Sequence, residues 1–488
     1  MKKRIYFALF TVLLSLYSCK KFIEVDAPFT GLNAGNVYTT DATAAAVLTD
    51  IYAQMSGENT TLLSQEMTSL SLFASLGADE LTLYELNNQN LFGYYRNDLS
   101  KISQPNYWNG IYPQIFAVNN ALEGLTSSRS LTPAVQQQLL GEAYFMRAFA
   151  YFYLVNLYGD VPLVTNLDYR TNALLSRTPK EQVYQQITTD LKKAQELLSL
   201  DYLKGDALTP YSAGSEERVR PTMWAATALL ARTYLYVGDW GAAEVEATKV
   251  INHTTLFNLE FLNSAFLKNN REAVWQLQPV GNNAEANTGE GSRFILPEGG
   301  PGGNDYPVYL SNYVVNSFES GDQRKTNWID SVVANGTTYY FPFKYKIGKI
   351  IAPTTEYPTI LRLAELYLIR AEARIKNGKI PEGVGDLNVL RKRATDMSAP
   401  VGEQLQQLPT TLSKEVALQK VEHERRVELF TEWGHRWLDM KRTGRIDAVM
   451  SAIAPEKGGT WEPYKAFYPI PQSDIEKNPN LIQNSGYN

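Results

Sequence analysis

The sequence predicts a mainly α-helical protein, built from pairs of helices that are interrupted by large inserted loops with minor β-structure. Three observations predict this class. Apolar residues recur at intervals of three and four over several long stretches, which is the period of an amphipathic helix. Prolines begin and glycines end many of these stretches. Two long segments rich in tyrosine, asparagine and glycine lack that period, which is typical of loops.

The N-terminus has the pattern of a secretory signal peptide. Three basic residues precede an apolar run from Ile5 to Leu16, which is too short to span a bilayer because a transmembrane helix needs roughly 20 residues. The run ends at Leu-Tyr-Ser-Cys, which resembles a lipobox, and Cys19 is the only cysteine of the chain. We therefore expect residues 1–18 to be removed, Cys19 to be lipidated and residues 19–488 to form a single domain. The alternative is an ordinary signal peptide with an accidental cysteine.

The first predicted helix pair lies between residues 132 and 198. Thr132 suits the cap of a helix and Pro133 suits its first turn, whereas Gly159 ends the stretch. Between them the apolar residues fall on one helical face. Val183 to Leu198 is a second amphipathic segment, and we expect the two helices to pack against each other.

A second pair is predicted between Pro221 and Ile251. Pro221 begins a helix whose apolar residues continue to Leu235, Gly238 breaks it, and Ala242 to Ile251 forms the returning helix. The alanines of this segment allow two helices to approach closely. The pattern is similar to a tetratricopeptide helix hairpin.

Two further tetratricopeptide-like pairs are predicted towards the C-terminus. The third occupies residues 361–378 and 381–394, and the fourth occupies residues 413–430 and 434–442. The four pairs are separated by far more than the ~34 residues of an uninterrupted array. We therefore expect large insertions between them, and ligand specificity usually lies in such loops.

Two insertions stand out in the sequence. The first extends from Gly77 to Asn106 and the second from Gly281 to Thr355, and both place tyrosines among asparagines. Short strands are predicted for Ala273 to Gln278 and for Tyr339 to Tyr345, but the sheet content should be minor.

Four ordered blocks of the chain resemble the SusD/RagB-like family of outer-membrane nutrient-binding lipoproteins. They are EAYFMRAFAYFYLVNLYGDVPL from Glu142, LRLAELYLIRAEA from Leu361, EHERRVEL with GHRWLDMKR from Glu422 to Arg442, and YPIPQS with NPNL from Tyr468 to Leu481. The resemblance covers nearly the whole chain. It implies a SusD-like fold with a tetratricopeptide-type core, and a lipid anchor in the outer membrane on a protein that faces the cell exterior.

The resemblance also implies a function. Members of the family bind oligosaccharides or polysaccharides without catalysis and deliver them to a SusC-like TonB-dependent transporter. Some members serve peptide uptake, which is the alternative for this chain. A remote alternative is a glycoside hydrolase, which would use two carboxyl groups at a fixed separation, and Asp79, Glu80, Glu85 and Asp98 lie near the first aromatic loop.

Aromatic side chains in the two insertions are the candidate ligand contacts. Sugar rings have apolar C–H faces that lie against flat rings, while their hydroxyls need amide and guanidinium partners. We therefore predict a binding platform of Tyr84, Tyr94, Tyr95, Arg96, Tyr306, Tyr309 and Trp328. The alternative for each is packing in the core beneath the loops. The scaffold tryptophans are assigned to packing, namely Trp224, Trp240, Trp275, Trp433 and Trp437.

Several other function classes are disfavoured. A net charge of −5 provides no basic surface for nucleic acid. Three histidines without a ligand spacing predict no metal site, and the glycines between 299 and 303 lack the lysine of a phosphate-binding loop. The charged cluster from Glu422 to Glu428 is interpreted as structural, since arginine and glutamate at helical spacing can pair. No catalytic residue and no cofactor are predicted.

Overall fold

Paired helices form the frame of the protein, as the sequence predicts. The structure, a computed structural model, describes residues 37–56, 70–101, 107–280 and 287–487. The predicted signal peptide and lipidation site Cys19 lie outside these residues. The first elements are α1 (Asp41–Ser56), α2 (Leu70–Gly77), β1 (Leu81–Leu83), α3 (Gln89–Tyr95), α4 (Tyr107–Ser127), α5 (Pro133–Tyr158), α6 (Tyr169–Asn172), α7 (Lys180–Leu197), α8 (Met223–Val237) and α9 (Trp240–Ile251).

The second half of the chain contains the remaining strands and the last two helix pairs. Its elements are β2 (Ala273–Gln276), α10 (Gly289–Phe294), β3 (Val308–Leu310), α11 (Asn312–Val315), α12 (Gln323–Trp328), β4 (Ile329–Ala334), β5 (Thr337–Pro342), β6 (Thr359–Arg362), α13 (Leu363–Lys376), α14 (Ile380–Arg393), α15 (Lys414–Leu429), α16 (His435–Arg442), α17 (Ile446–Ile453) and α18 (Gln472–Lys477). None of the helices in the described residues is long and apolar enough to cross a membrane.

The four predicted pairs correspond to α5 with α7, α8 with α9, α13 with α14, and α15 with α16. They stack side by side, since α7 also packs on α8, and α9 packs on α13. The turn between α8 and α9 illustrates the local cause. Gly238 adopts the left-handed conformation at φ 78°, which ends α8, and the carboxylate of Asp239 then accepts a hydrogen bond from the amide of Ala242 to cap α9.

Some element boundaries differ from the sequence prediction. Helix α8 begins at Met223 rather than at Pro221, because Thr222 before it is extended. Helix α4 was not assigned to a pair, yet it packs on the face of α5 that α7 leaves open. The predicted strand from Tyr339 to Tyr345 begins earlier and ends at Pro342.

Three small antiparallel sheets accompany the helices in the described part of the chain, each of two strands: β1 with β3, β2 with β6, and β4 with β5. Strands β4 and β5 form a hairpin in which Asn335 and Gly336 both have positive φ, as a tight two-residue turn requires. Strands β1 and β3 come from the two separate insertions. This pairing joins loops that are distant in sequence.

A buried network of arginine and glutamate ties the second insertion to the helical frame. Arg324 of α12 is fully buried and pairs with Asp322 at 2.7 Å, and with Glu424 and Glu428 of α15 at 3.0 Å each. Arg362 at the end of β6 also pairs with Glu428, at 2.6 Å. The structural role predicted for this part of α15 is confirmed, because both glutamates are buried in ion pairs.

We expect replacement of Arg324 by methionine to destabilise the protein strongly. The change would leave three buried carboxylates short of a partner, and removal of one member of a buried ion pair costs about 3–5 kcal/mol. Urea unfolding of the purified protein measures this loss. The matched control is Lys193→Met, because Lys193 pairs with Glu196 on the exposed surface of α7, where such pairs contribute ~0–1 kcal/mol. Equal losses for both variants would contradict the proposed dependence on burial.

A second prediction concerns stability in acid. Burial alone would raise the pKa of Glu365, but the charge and hydrogen bond of Arg232, 2.6 Å away, together with the nearby His435 and Arg425, lower this pKa from 4.5 to about 2. Because the folded pKa lies below the unfolded one, the carboxylate stabilises the fold above pH 4.5, and this contribution is lost as the pH falls towards 2. Glu365→Gln should cost about 3 kcal/mol at pH 7, and progressively less below pH 4.5. Urea unfolding at a series of pH values checks this, and a difference independent of pH would contradict it.

Candidate functional site

The two insertions meet at the β1–β3 pairing, and this brings their aromatic residues together. The register places Thr82 opposite Tyr309. Leu81 and Leu83 point into the core together with Val308 and Leu310, since all four are buried. Side chains alternate between the two faces of a strand. Thr82 and Tyr309 therefore share the outer face.

Polar contacts between the loops reinforce this junction. The amide of Gly303 donates to a carboxylate oxygen of Glu85 at 3.1 Å, and the Asn88 amide donates to the side-chain oxygen of Asn304 at 3.1 Å. The glycine-rich run of the second insertion is thus held against the first. Tyr306 lies in the same turn and is half-buried.

Three tyrosines form one group of rings at the junction, which we call the tyrosine cluster: Tyr84, Tyr309 and Tyr339. The ring centroids of Tyr84 and Tyr339 are 5.7 Å apart with an interplanar angle of 86°, and those of Tyr309 and Tyr339 are 5.1 Å apart at 78°. These are edge-to-face contacts, which aromatic pairs favour. The cluster therefore holds its rings in fixed mutual orientation.

The tyrosine cluster combines exposed ring surface with phenol groups. Tyr84 is 40% exposed, whereas Tyr309 and Tyr339 are half-buried. The phenol of Tyr339 beside Tyr84 raises the pKa of the Tyr84 phenol, and burial raises the pKa of Tyr309, so these two phenols retain their protons at neutral pH. Each can then donate as well as accept a hydrogen bond. Flat apolar faces with hydroxyl groups at their edges suit a sugar ring.

Tyr95 lies beside the cluster at the end of α3, and Arg96 follows it in the chain. Tyr95 is half-buried, and the ammonium of Lys457 lies 4.9 Å from its ring centroid. The guanidinium of Arg96 lies 5.0 Å from the ring centroid of Phe92. The structure thus brings four of the seven predicted platform residues to one region around the junction: Tyr84, Tyr95, Tyr306 and Tyr309.

The prediction that Tyr94 and Trp328 face a ligand is wrong. Tyr94 is 2% exposed, because α3 turns its ring inward onto Phe73 and Tyr468. Trp328 is fully buried at the end of α12, where its indole N–H donates to the carbonyl of Leu262 at 2.8 Å. The alternative of core packing holds for both residues.

An open cleft of about 640 Å³ adjoins the tyrosine cluster. Its wall includes Thr82 and Tyr95 from the first insertion, Asn312 from α11, and His423 and Arg426 from α15. Thr82 lies on the same strand face as Tyr309. The cleft and the cluster therefore meet at Thr82.

Two of the four carboxyl groups considered for hydrolysis, Asp79 and Glu80, are committed to internal bonds. Asp79 accepts hydrogen bonds from Arg436 at 2.8 and 2.9 Å and from Arg426 at 2.8 Å. Glu80 is buried, and burial raises its pKa to about 7. It accepts a hydrogen bond from Ser75 at 2.6 Å. Neither carboxyl group of this pair projects freely into the cleft.

One group of side chains in the described residues has the composition of a metal site. Ligand atoms of Glu319, His423 and Glu424 lie within 4.8 Å of one another. Both carboxylates, however, already pair with Arg391. A cation at this place would compete with a buried guanidinium.

Sequence reasoning missed Tyr339 and the cleft. Tyr339 lies on β5, where exposed and half-buried residues come before two buried ones. The sequence of this strand does not distinguish Tyr339 from its neighbour Tyr340. The cleft residues come from α11, α15 and the first insertion. The spacing of His423 and Arg426 could have indicated part of this cleft, because residues three apart lie on one face of a helix.

Two sequence profiles match most of the chain. The profile described as "Starch-binding associating with outer membrane" matches residues 36–235, and the "SusD family" profile matches residues 303–487. SusD-like protein P25 of Formosa agariphila is 22% identical over 98% of both chains. Starch-binding protein SusD of Bacteroides thetaiotaomicron is 34% identical over 28% of this chain and 22% of its own length.

Solved structures share the fold. A SusD superfamily protein of Bacteroides vulgatus superposes with a TM-score of 0.73 at 19% identity, over 91% of this chain and 99% of its own. A protein described as a laminarin-binding SusD-like protein superposes with a TM-score of 0.69 at 21% identity, over 92% and 99% of the two chains. The predicted helical fold with minor β-structure is thereby confirmed.

Proposed function

The chain belongs to the SusD/RagB-like family, and from this premise we propose that it binds oligosaccharides or polysaccharides at the tyrosine cluster. The observation that carries the proposal is the edge-to-face arrangement of Tyr84, Tyr309 and Tyr339 on the outer face of the junction. It gives apolar ring faces and phenol groups side by side, as a sugar ring requires. Starch and laminarin are the glycans in the names of two similar proteins.

Binding at this site does not alter the glycan in our proposal. Asp79 is held by two arginines and Glu80 by Ser75, so this pair lacks the free acid and base that hydrolysis needs. An open surface of a few rings supports weak capture, on the order of millimolar or ~4 kcal/mol. Proximity to a transporter then raises the effective concentration of the glycan.

The proposed place of action is the outer surface of the outer membrane. Cys19 follows an apolar run of signal-peptide length, and bacterial lipoproteins carry several acyl chains, each methylene of which contributes ~0.8 kcal/mol when buried. Delivery to the cell interior needs a partner, for which a SusC-like TonB-dependent transporter is the candidate. The family membership supports this pairing.

We expect Tyr84→Ala and Tyr309→Ala each to weaken glycan binding about tenfold, because loss of a stacked ring costs about 1.4 kcal/mol. Migration in native gels that contain laminarin or starch, followed by calorimetry with their oligosaccharides, measures the effect. Tyr169→Ala is the matched control, since Tyr169 is an exposed tyrosine on α6, outside the cluster.

Two results would contradict glycan capture at the cluster. One is equal binding by Tyr84→Ala, Tyr309→Ala and the wild type. The other is a response to mixed oligopeptides with none to a broad glycan panel, which would favour the peptide alternative. Release of reducing ends during incubation would contradict capture without turnover.

If Cys19 carries a lipid anchor, the protein should be found in the membrane fraction of the cell. Cys19→Ser should move it from the membrane fraction to the soluble fraction, because no acyl chain can then be attached. Immunoblots of fractionated cells measure this, and Ser18→Ala is the control, since it keeps a small residue before Cys19. Persistence of Cys19→Ser in the membrane fraction would exclude the lipid anchor.

Partner binding is tested with the wild-type lipoprotein. Purification in a mild detergent should retain a large barrel protein, which mass spectrometry identifies. A solitary lipoprotein in several detergents would contradict stable pairing with a transporter.

A further inference from the structure

Two residues that line the cleft beside the tyrosine cluster, Arg426 and His423, carry buried nitrogen atoms without a hydrogen-bond partner in the described residues, and the capture of a neutral sugar on the rings does not use them. The most informative is Nε of Arg426. Arg426 donates through Nη2 to Asp79 at 2.8 Å, but its Nε is buried and has no hydrogen-bond partner in the described part of the chain. An unpaired guanidinium N–H at a cavity wall is costly unless a ligand accepts it.

The charge of Arg426 is also incompletely balanced. Asp79, its ion-pair partner, is shared with Arg436, which binds both carboxylate oxygens at 2.8 and 2.9 Å. Arg426 therefore shares its carboxylate with Arg436, which also pairs with Glu422 at 3.5 Å. Burial lowers the pKa of Arg426 in spite of the nearby carboxylates, which indicates that they do not fully compensate its loss of water.

His423 lies one helical turn before Arg426 on α15, and it lines the same cleft. Its Nε2 atom is buried without a hydrogen-bond partner among residues 37–56, 70–101, 107–280 and 287–487. Burial lowers the pKa of this imidazole, so the ring is neutral at pH 7 and can offer a ring N–H. Residues three apart on a helix share a face. The two unpaired nitrogens therefore belong to one wall.

Other charged groups lie near these two residues. The carboxylates of Glu319 and Glu424 lie within 4.8 Å of His423, but both pair with Arg391. Lys457 donates to the backbone carbonyls of Leu76 and Ala78 and lies under the ring of Tyr95. Glu456 is exposed at the rim of the cleft, where its carboxylate accepts a hydrogen bond from the phenol of Tyr313 at 2.8 Å. At the mouth, Asn312 and Asn316 are exposed. Their amides suit the hydroxyls of a ligand that enters.

We propose that the cleft binds an anionic oxygen group, either a carboxylate or a sulfate ester, of a saccharide whose neighbouring ring lies on the tyrosine cluster. Arg426 supplies a charged donor and His423 a neutral one, and guanidinium matches the geometry of such oxyanions. The inference rests on the proposed glycan binding, and it assigns the class of glycan: uronate-containing or sulfated rather than neutral.

Because the cleft and the cluster meet at Thr82, one saccharide can contact both regions. Thr82 lines the cleft and lies opposite Tyr309 in the β1–β3 register. Tyr95 lines the cleft as well. Burial raises the pKa of Tyr95, and the nearby Tyr309 phenol raises it further. A saccharide of a few residues can therefore contact the rings and the arginine at the same time.

The test compares saccharides that differ only in charge. Calorimetry with the full mature chain would use a galacturonate tetramer against its methyl ester, and a sulfated carrageenan tetramer against its desulfated form. We expect one charged member to bind about tenfold more tightly than its neutral counterpart, as a charge-assisted hydrogen bond allows. Salt should weaken the charged member more.

Three variants assign the preference to the cleft. Arg426→Gln removes the charged donor, and Asn312→Trp fills the mouth without changing charge, so both should abolish the preference for the charged member. Arg170→Gln is the control, because it removes the same charge from an exposed residue outside the cleft. Thermal unfolding verifies that each variant is folded. If Arg426→Gln does not fold, Asn312→Trp alone decides.

The inference is overturned if neither charged tetramer binds better than its neutral form, or if the preference survives in Asn312→Trp. Binding of neutral glycans alone, lost in Tyr84→Ala, would overturn the charged ligand while the proposed function stands. If no saccharide binds, both the charged ligand and the proposed function are contradicted. A preference for free peptide carboxylates without any for charged saccharides would also overturn it.

Discussion

The fold depends on a set of buried charges that must all be satisfied at once. Arg324, Arg362 and Arg393 converge on Glu428, and these residues come from α12, β6, α14 and α15. A buried charge without a partner is far costlier than a missing apolar contact. The arrangement therefore allows the second insertion only one position against the helices. Trp328 lies within this network, with the guanidinium of Arg393 at 5.4 Å from its ring, so a residue that reads as a loop aromatic is part of the frame.

The tyrosine cluster depends on this frame through few contacts. Strand β3 and the β4–β5 hairpin come from the second insertion, whose position the buried charges fix, and β1 then pairs with β3 over three residues. The side chains of the proposed site thus lie on short, exposed elements above a rigid base. Because the site lies on loops and the frame on helices, the loops can vary in sequence while the helical frame stays the same.

The helix pairs were predictable because each depends on local rules: period, proline at the start and glycine at the end. Thr132, Pro133 and Gly159 gave the limits of α5 correctly. The site was only partly predictable, because the burial of a tyrosine depends on residues far away in sequence. Tyr94 and Tyr95 are neighbours with the same local environment, yet one packs on Tyr468 and the other borders the cleft. No pattern within the first insertion distinguishes them.

The junction between the two insertions has a consequence for how the molecule is made. The hydroxyl of Ser311 donates to the carbonyl of Asp79, a contact between positions 232 residues apart. Closing so long a segment is entropically unfavourable until much of the intervening chain is ordered. During synthesis the first insertion therefore emerges well before its partner strand exists. The proposed glycan site can therefore form only after β3 has been synthesised, and a product that ends before Val308 lacks it.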